Sequence, residues 1–211
     1  MDIKLWRPSG LFMTAIDADV VVLDVLSDRY HCLPEAASWL RLAHDGSLTV
    51  PRPMAEALVA AGFAAADPPP DPVTAPPHAQ HEAALRPTSR ADCVRAGIIL
   101  SSAALAFRGR RLADLLSAER SSSALGPADM SRLGELAAAA RAVTPWLPFE
   151  GACLQRSFQL RRLLARHDIA STWIFGVRTW PFAAHCWLQV GDVIVGDRLE
   201  RVTRFTPIMA V

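Results

Sequence analysis

The stretch that decides the fold is CLQRSFQLRRLLARHDIASTWIFGV, residues 153–177, which is followed closely by FAAHCWLQVGDVIVGD, residues 182–197. The first run has apolar and basic residues at helical spacing, and this predicts a helix from the cysteine to about Arg166. The residues after it have the β-rich runs of strands, with a turn at Gly191-Asp192. A helix followed by consecutive turn-linked strands predicts an α+β domain.

Three residues in this region are of the types that form a nucleophilic active site. A helix N-terminus favours the thiolate form of a cysteine, which is the form that attacks a carbonyl. His185 opens one predicted strand and Asp197 follows the next, so the two can be cross-strand neighbours. A helix packed across that sheet would bring Cys153 to His185. The pattern favours Cys153 as nucleophile, His185 as base and Asp197 as the acid that orients the base.

Other residues compete for these roles. Asp192 is a rival for the orienting acid, but it falls in a turn, where aspartate is common. The His167-Asp168 pair lies at the far end of the predicted helix, about 20 Å from the thiol. A zinc site built on His185 and Cys186 lacks the ligand spacing of zinc sites, so no metal is expected.

The remaining cysteines form no C-x-x-C pair, and we interpret them as packing residues. Cys186 adjoins His185, but neighbours on a strand point to opposite faces of the sheet. Cys32 and Cys93 have no predicted partner. The loop Trp180-Pro181-Phe182, which precedes His185, is a candidate lining of a substrate cleft.

Composition excludes several classes of function. The chain has 211 residues with a net charge of +1, and 51% of them are hydrophobic, which is enough for a core. The near-neutral charge argues against general affinity for nucleic acid or an anionic membrane. Lys4 is the one lysine and follows no glycine-rich loop, so a P-loop is excluded. Without a signal peptide or a membrane-spanning run, the predicted location is the cytoplasm.

The first third of the chain has a different pattern. Residues 10–33 contain three short β-rich runs, LFMTAI, VVVLDVL and RYHCL, separated by turn residues, which is typical of a meander. Helices are predicted over residues 35–46 and from residue 53 to about 61.

A proline-rich segment separates this part from the rest. Six prolines fall between residues 68 and 77, and such a density favours an extended spacer. The sequence therefore predicts a small domain over residues 1–66, a linker over 67–84 and a second domain over 85–211. After the linker the pattern is helical until the strands of the opening stretch.

The residues quoted above resemble the transglutaminase-like domain of the lasso peptide maturation proteases, the B proteins, in the transglutaminase-like branch of the papain-like fold. The resemblance covers roughly residues 85–211 and is most specific over 151–197. In that family a Cys-His-Asp triad cuts the leader from a precursor peptide, and a separate ATP-using cyclase closes the core peptide. The resemblance implies that Cys153, His185 and Asp197 are this triad.

Residues 1–66 are similar to the small winged-helix domain that recognises leader peptides. In that domain the leader adds as a strand to the edge of the sheet and packs on the neighbouring helix. On this analogy the leader-binding residues belong to the third strand and to the helix that follows it, and they are Arg29, Tyr30, His31, Cys32, Leu33 and Trp39.

The sequence thus predicts a cysteine peptidase that removes the leader of a lasso peptide precursor before macrocyclisation. Its predicted partners are the leader region of the precursor and an asparagine-synthetase-like lasso cyclase. No cofactor is expected, since the chain has no phosphate-binding motif and any need for ATP belongs to the cyclase. A transglutaminase-type or other acyl transferase with the same triad, and a non-catalytic leader-binding adaptor, are the alternatives.

Overall fold

The computed structural model describes residues 2–69, 77–119, 130–147 and 152–211. The strands in these ranges are β1 Asp2–Trp6, β2 Leu11–Ile16, β3 Asp19–Asp24, β4 Arg29–Leu33, β5 Arg41–Leu42, β6 Ser47–Pro51, β7 His81–Glu82, β8 Thr172–Arg178, β9 Ala183–Val190, β10 Val193–Val195 and β11 Thr206–Ala210. The helices are α1 Arg52–Ala60, α2 Arg90–Phe107, α3 Leu112–Glu119, α4 Met130–Val143, α5 Cys153–Ala165 and α6 Leu199–Val202. The predicted α+β class is confirmed.

The predicted meander is confirmed as the sheet β2-β3-β4, with antiparallel neighbours throughout. Its middle strand is buried on both faces, which explains the unbroken apolar run in its sequence. Val21 and Leu23 belong to the large core that also contains α2, α4 and α5. Val20 faces the other way, into a smaller core formed with β1, β6 and α1. The β2-β3-β4 sheet therefore lies between the two cores and contributes side chains to both.

The predicted helix over residues 35–46 is wrong. This segment forms a single 3₁₀ turn at Ala36–Ser38 and then the short strand β5, which pairs with β6. Glu35 has a left-handed φ of 56°, and its N–H donates to Asp19 Oδ1 at 2.9 Å. The tight turn buries Ala36 and Leu40 in the smaller core. Tertiary packing therefore overrides the helical propensity of the segment.

The other N-terminal helix is present as α1, and Gly62 follows it with a φ of 77°. The strands β1 and β6 had no counterpart in the prediction, and they pair with each other antiparallel. Residues 2–69 contain α1 as their one α-helix, and this alone does not identify a winged helix. The winged-helix likeness of residues 1–66 stays a prediction.

The predicted linker over residues 67–84 is described only in part, because residues 70–76 lie outside the described ranges. The last residues of the predicted linker pair with the sheet of the second part of the chain. His81 and Glu82 form β7, which runs parallel to β10 at the edge of a sheet ordered β11-β8-β9-β10-β7. The proposed domain boundaries stay a prediction.

The helices α2, α4 and α5 cover one face of this larger sheet. Phe158, Leu163 and Leu164 of α5 are buried there together with Trp173 of β8. The helix α2 is capped by Ser89, whose hydroxyl accepts from the Asp92 N–H. The opposite face of the sheet is covered by a smaller apolar cluster around α6. In the described ranges no helix combines the length and the apolar character that a membrane crossing requires.

Two helical glycines should respond in opposite ways to alanine. A Cβ at Gly134 in α4 would lie 2.3 Å from the carbonyl oxygen of Ala84, whereas a Cβ at Gly97 in α2 meets nothing within 4 Å. We expect Gly134→Ala to lower the free energy of unfolding by roughly 1–3 kcal/mol. Gly97→Ala should raise it by up to about 1 kcal/mol through helix propensity. Urea unfolding of both variants measures the difference, and equal changes would contradict this packing.

Candidate active site

The thiol predicted to attack a carbonyl lies at the first residue of α5. The preceding residue, Ala152, is extended and has no polar side chain with which to cap the helix. Cys153 is half-buried, and its sulfur lies at the positive end of the helix dipole. The helix is held on the sheet by its buried residues Phe158 and Leu164, so the position of the sulfur is set by packing.

The hairpin β9–β10 brings His185 and Asp197 together. Val190 pairs with Val193 and Leu188 with Val195, so the residues after β10 return alongside the first half of β9. His185 Nε2 and Asp197 Oδ2 are 2.5 Å apart, and both side chains are only 11–12% exposed. The backbone N–H of Arg198 donates to the other carboxylate oxygen at 2.8 Å. The predicted cross-strand neighbours therefore meet.

Hydrogen bonds to the sulfur change the acidity of Cys153. Bonds from the Cys186 thiol and then from His185 lower the pKa of Cys153 to about 4, against the opposing effect of burial. The backbone N–H of Cys186 adds a further bond to the sulfur. Because Nε2 of His185 is engaged by Asp197, Nδ1 is the ring nitrogen left for Cys153. The sulfur is a thiolate at neutral pH.

The imidazole is held in its charged form by its two partners. Burial disfavours the charge, but the hydrogen bonds to Asp197 and to Cys153 outweigh it and raise the pKa of His185 to about 9. Burial likewise raises the pKa of the Asp197 carboxyl, and the bonds from His185 and the Arg198 N–H bring it below the usual value. Between about pH 4 and pH 9 the site is therefore a thiolate–imidazolium pair.

The rival residues lie elsewhere. Asp192 is in the β9–β10 turn, 46% exposed, and its carboxylate lies 4.0 Å from Nε2 of His81. His167 and Asp168 follow the C-terminal end of α5. In the part of the chain that the structure describes, no group of three or more His, Cys, Asp or Glu side chains could hold a metal ion.

The other cysteines differ from one another. Cys186 is buried as predicted, yet its thiol also contacts Cys153, which the alternation of strand side chains did not suggest. Cys93 is half-buried against the large core. The prediction that Cys32 packs in a core is wrong, because β4 pairs on one side only and Cys32 is exposed there.

A groove runs along β4 and is closed on its other side by the loop before β9. We call it the β4 groove; it is lined by Tyr30, His31, Cys32, Thr179, Trp180 and Phe182. The rings of Tyr30 and Phe182 are 5.5 Å apart, and the Trp180 indole donates to Asp19 Oδ2 at 3.0 Å. The loop Trp180-Pro181-Phe182 therefore lines a cleft together with the N-terminal part of the chain.

The predicted leader-binding residues divide between the β4 groove and the smaller core. Tyr30, His31 and Cys32 line the groove, and Arg29 is exposed at the start of β4. Leu33 and Trp39 instead pack against the smaller core. Since the helix expected around Trp39 does not form, the predicted groove between β4 and that helix is wrong.

One residue that lines the β4 groove, Tyr30, also interacts with Cys153. Tyr30 lies close enough to Cys186 and Cys153 to interact with both electrostatically, and burial, followed by these charges, raises the pKa of its hydroxyl. Tyr30 was predicted as a leader-binding residue, but not as a neighbour of Cys153. No sequence signal linked it to Cys153, because more than 120 residues separate them.

The family model of the transglutaminase-like superfamily matches residues 96–210, more than half of the chain. The chain belongs to the transglutaminase-like superfamily. Members of this superfamily are typically cysteine peptidases or acyl transferases. The matched range contains Cys153, His185 and Asp197.

A short stretch is similar to a curated relative. The microcin J25-processing protein McjB of Escherichia coli is 39% identical over 49 residues, which are 23% of this chain and 24% of that protein. The alignment thus spans about a quarter of the relative's length. No solved structure matches the chain.

Removing the Asp197 carboxylate should make His185 less basic. In Asp197→Asn the imidazolium loses its anionic partner, and we expect the pKa of His185 to fall from about 9 by roughly 1–3 pH units. The upper pH limit of the thiolate–imidazolium pair falls together with the pKa of His185. A titration of the His185 ring protons by NMR measures this, and Asp192→Asn is the matched control that should leave the pKa unchanged. An equal effect of the two variants would contradict the assignment.

Proposed function

We propose that this chain is a cysteine peptidase that removes the leader from a lasso peptide precursor in the cytoplasm. The observation that carries the proposal is the contact of Cys153 with a buried His185 that is itself bonded to Asp197. A thiolate, a proton carrier and an orienting carboxylate are what acyl transfer from a peptide bond requires. We assign leader recognition to the same chain because Tyr30, which lines the β4 groove, interacts electrostatically with Cys153.

The proposed reaction begins with attack of the Cys153 thiolate on the scissile carbonyl. The backbone N–H of Cys153 is one donor for the oxyanion that forms. His185 then gives its proton to the leaving amine, which departs as the new N-terminus of the core peptide. Water, deprotonated by His185, attacks the thioester and releases the leader as a carboxylate. Asp197 keeps Nδ1 of the ring directed at the sulfur throughout.

The proposed recognition uses strand addition. β4 pairs with β3 on one side and has a free edge in the described part of the chain, so an extended peptide can bond to its backbone. Side chains of the added strand would enter the β4 groove, which has apolar walls at Tyr30, Trp180 and Phe182. A peptide held there runs toward Cys153, because Tyr30 borders both places.

The similarity to other proteins supports this function. McjB is named for the processing of microcin J25, and processing of a precursor is the activity that the resemblance to the lasso peptide maturation proteases implies. In such a pathway an asparagine-synthetase-like cyclase would use the amine that this chain exposes. The ATP requirement then belongs to that partner.

Loss of the thiol should abolish processing and leave binding intact. We expect Cys153→Ala to give no cleavage of a precursor peptide, while the affinity for the leader stays within about twofold, because the alanine does not touch the β4 groove. Mass spectrometry of the products measures cleavage as the gain of one water. Cys93→Ala is the matched control and should process normally.

Other outcomes identify the alternatives. Loss of ammonia with formation of a cross-link would show a transglutaminase-type acyl transferase. Processing by Cys153→Ala would show that this residue is not the nucleophile. Binding without any reaction by the parent protein would favour an adaptor.

The β4 groove should contribute to affinity for the precursor. Phe182 is 51% exposed in the free protein and stands opposite Tyr30, so Phe182→Ala should weaken leader binding by about tenfold or more. Fluorescence polarisation with a labelled leader measures the affinity. Ile98→Ala, at a residue 65% exposed on α2, is the control. Unchanged affinity in Phe182→Ala would place the leader elsewhere.

A further inference from the structure

The end of the predicted linker is fixed to the sheet that carries the candidate site. We call residues 77–83 the docked segment; it contains β7, which runs parallel to β10. The Gln80 N–H donates to the Asp192 carbonyl oxygen at 2.9 Å, and the Ala83 N–H donates to the Ile194 carbonyl oxygen at 2.8 Å. These main-chain bonds hold the docked segment beside the β9–β10 hairpin.

One side chain of the docked segment reaches the turn that follows Asp197. Glu82 Oε1 accepts from the backbone N–H of Leu199 at 2.8 Å. Leu199 is the first residue of α6, and the side chain of Arg198 before it does not cap the helix. The first N–H groups of a helix have no partner within the helix. Glu82 provides a partner for one of them from 117 positions away in the chain.

The same turn holds the carboxylate of Asp197. The Arg198 N–H donates to Asp197 Oδ1 at 2.8 Å, and Asp197 Oδ2 lies 2.5 Å from His185 Nε2. Asp197 and Glu82 therefore accept from two successive N–H groups of one turn. The orientation of the Asp197 carboxylate toward His185 depends on the position of this turn, because the turn provides the donor for one of its two oxygens.

A second contact of the docked segment leads to the imidazole. Gln189 Nε2 donates to the Pro77 carbonyl oxygen at 3.1 Å, and Gln189 Oε1 accepts from the Trp187 indole N–H at 2.9 Å. The Trp187 ring stacks with that of His185, with centroids 6.1 Å and planes 24° apart. Gln189 is 1% exposed and Trp187 4%, so water does not compete for these bonds. The docked segment is thus linked to His185 as well as to Asp197.

We propose that Glu82 is a positioning residue of the active site, which directs the Asp197 carboxylate at His185 by fixing the turn after Asp197. The bond of the docked segment to Gln189 supports the ring of His185 in the same way. The proposal rests on the proposed function only in treating His185 and Asp197 as the working pair. A linker that served as a spacer alone would need neither contact.

The effect of Glu82 comes from its hydrogen bond and not from its charge. Glu82 is exposed, so water and salt screen its charge. A hydrogen bond to a backbone N–H acts at short range and requires only an acceptor oxygen. Glutamine has such an oxygen without the charge, and alanine has neither. The variants Glu82→Gln and Glu82→Ala therefore separate the bond from the charge.

Other charged groups act on the same pair, and they stay in place in these variants. Cys153 of α5 interacts with His185, and a guanidinium nitrogen of Arg201 in α6 lies 3.8 Å from Asp197 Oδ1. The main-chain bonds of β7 hold the docked segment without the Glu82 side chain. A change at His185 in these variants therefore reports on the lost hydrogen bond.

The test is the pKa of His185 in the full-length protein, measured from its ring protons by NMR. We expect Glu82→Ala to lower this pKa by roughly 0.5–1 pH units, because a less well-directed Asp197 stabilises the imidazolium less. Glu82→Gln should keep the parent value. Glu200→Ala is the matched control and should also keep it, since Glu200 lies in the first turn of α6 but its carboxylate bonds to Arg204.

An unchanged pKa in Glu82→Ala would overturn the proposal. So would a Glu82→Gln variant that behaves as Glu82→Ala, since loss of charge would then explain the effect. An equal fall in Glu200→Ala would overturn it as well, because loss of any carboxylate near α6 would then be sufficient. If circular dichroism shows that Glu82→Ala does not fold, Glu82→Val takes its place, since valine also lacks an acceptor and suits a strand.

The titration uses no precursor peptide, so its outcome is independent of the proposed peptidase function. A lowered pKa of His185 in Glu82→Ala, in a protein that cleaves no precursor, would leave the positioning role standing and remove the proposed function. Cleavage of the precursor by the parent protein, with an unchanged pKa in Glu82→Ala, would do the reverse.

Discussion

The packing of α5 across β8 and β9 is the constraint on which the candidate site depends. Phe158 and Leu164 bury one face of the helix against the sheet, and this places the first residue of the helix at the end of β9. The helix dipole, the imidazole and the buried thiol all act on one sulfur only because that packing holds. A shift of the helix by one turn would move the sulfur by about 5.4 Å and separate it from His185.

Two sets of interactions stabilise opposite charges at the site. On one side Asp197 holds His185 as a cation, and on the other side donors hold Cys153 as an anion. Neither charge is fully solvated, so each depends on the other and on its own partners. This accounts for a broad pH range in which both groups are ionised. The same dependence explains why the pKa of a group in this site cannot be inferred from its own position in the sequence.

Much of the second part of the fold could be predicted from local pattern. The helix at Cys153 and the turn at Gly191-Asp192 are short-range features, and the turn brings His185 and Asp197 into register. The contact of Cys186 with Cys153 could not be predicted. Alternation along a strand assigns each side chain to a face of the sheet, but it does not show which residues of other elements contact that side chain.

The N-terminal part was harder to predict. The meander followed from alternating runs and turn residues, but β1 and β6 lie more than 40 residues apart and carry no turn signal that links them. Residues 35–46 have good helical propensity, and only their contacts with the smaller core explain why they form a turn and a strand. Long-range pairing is the information that a single sequence does not display.

The β4 groove has one wall from residues 30–32 and the other from residues 179–182, joined by the bond between Trp180 and Asp19. The β4 groove therefore belongs to neither part of the chain alone. Transplanting residues 1–66 onto another catalytic domain would carry half of the groove and leave the apolar face of β3 without its cover. For the proposed binding of a strand in this groove, we expect natural or engineered changes of specificity to occur as pairs of substitutions, one near residues 30–32 and one near residues 179–182.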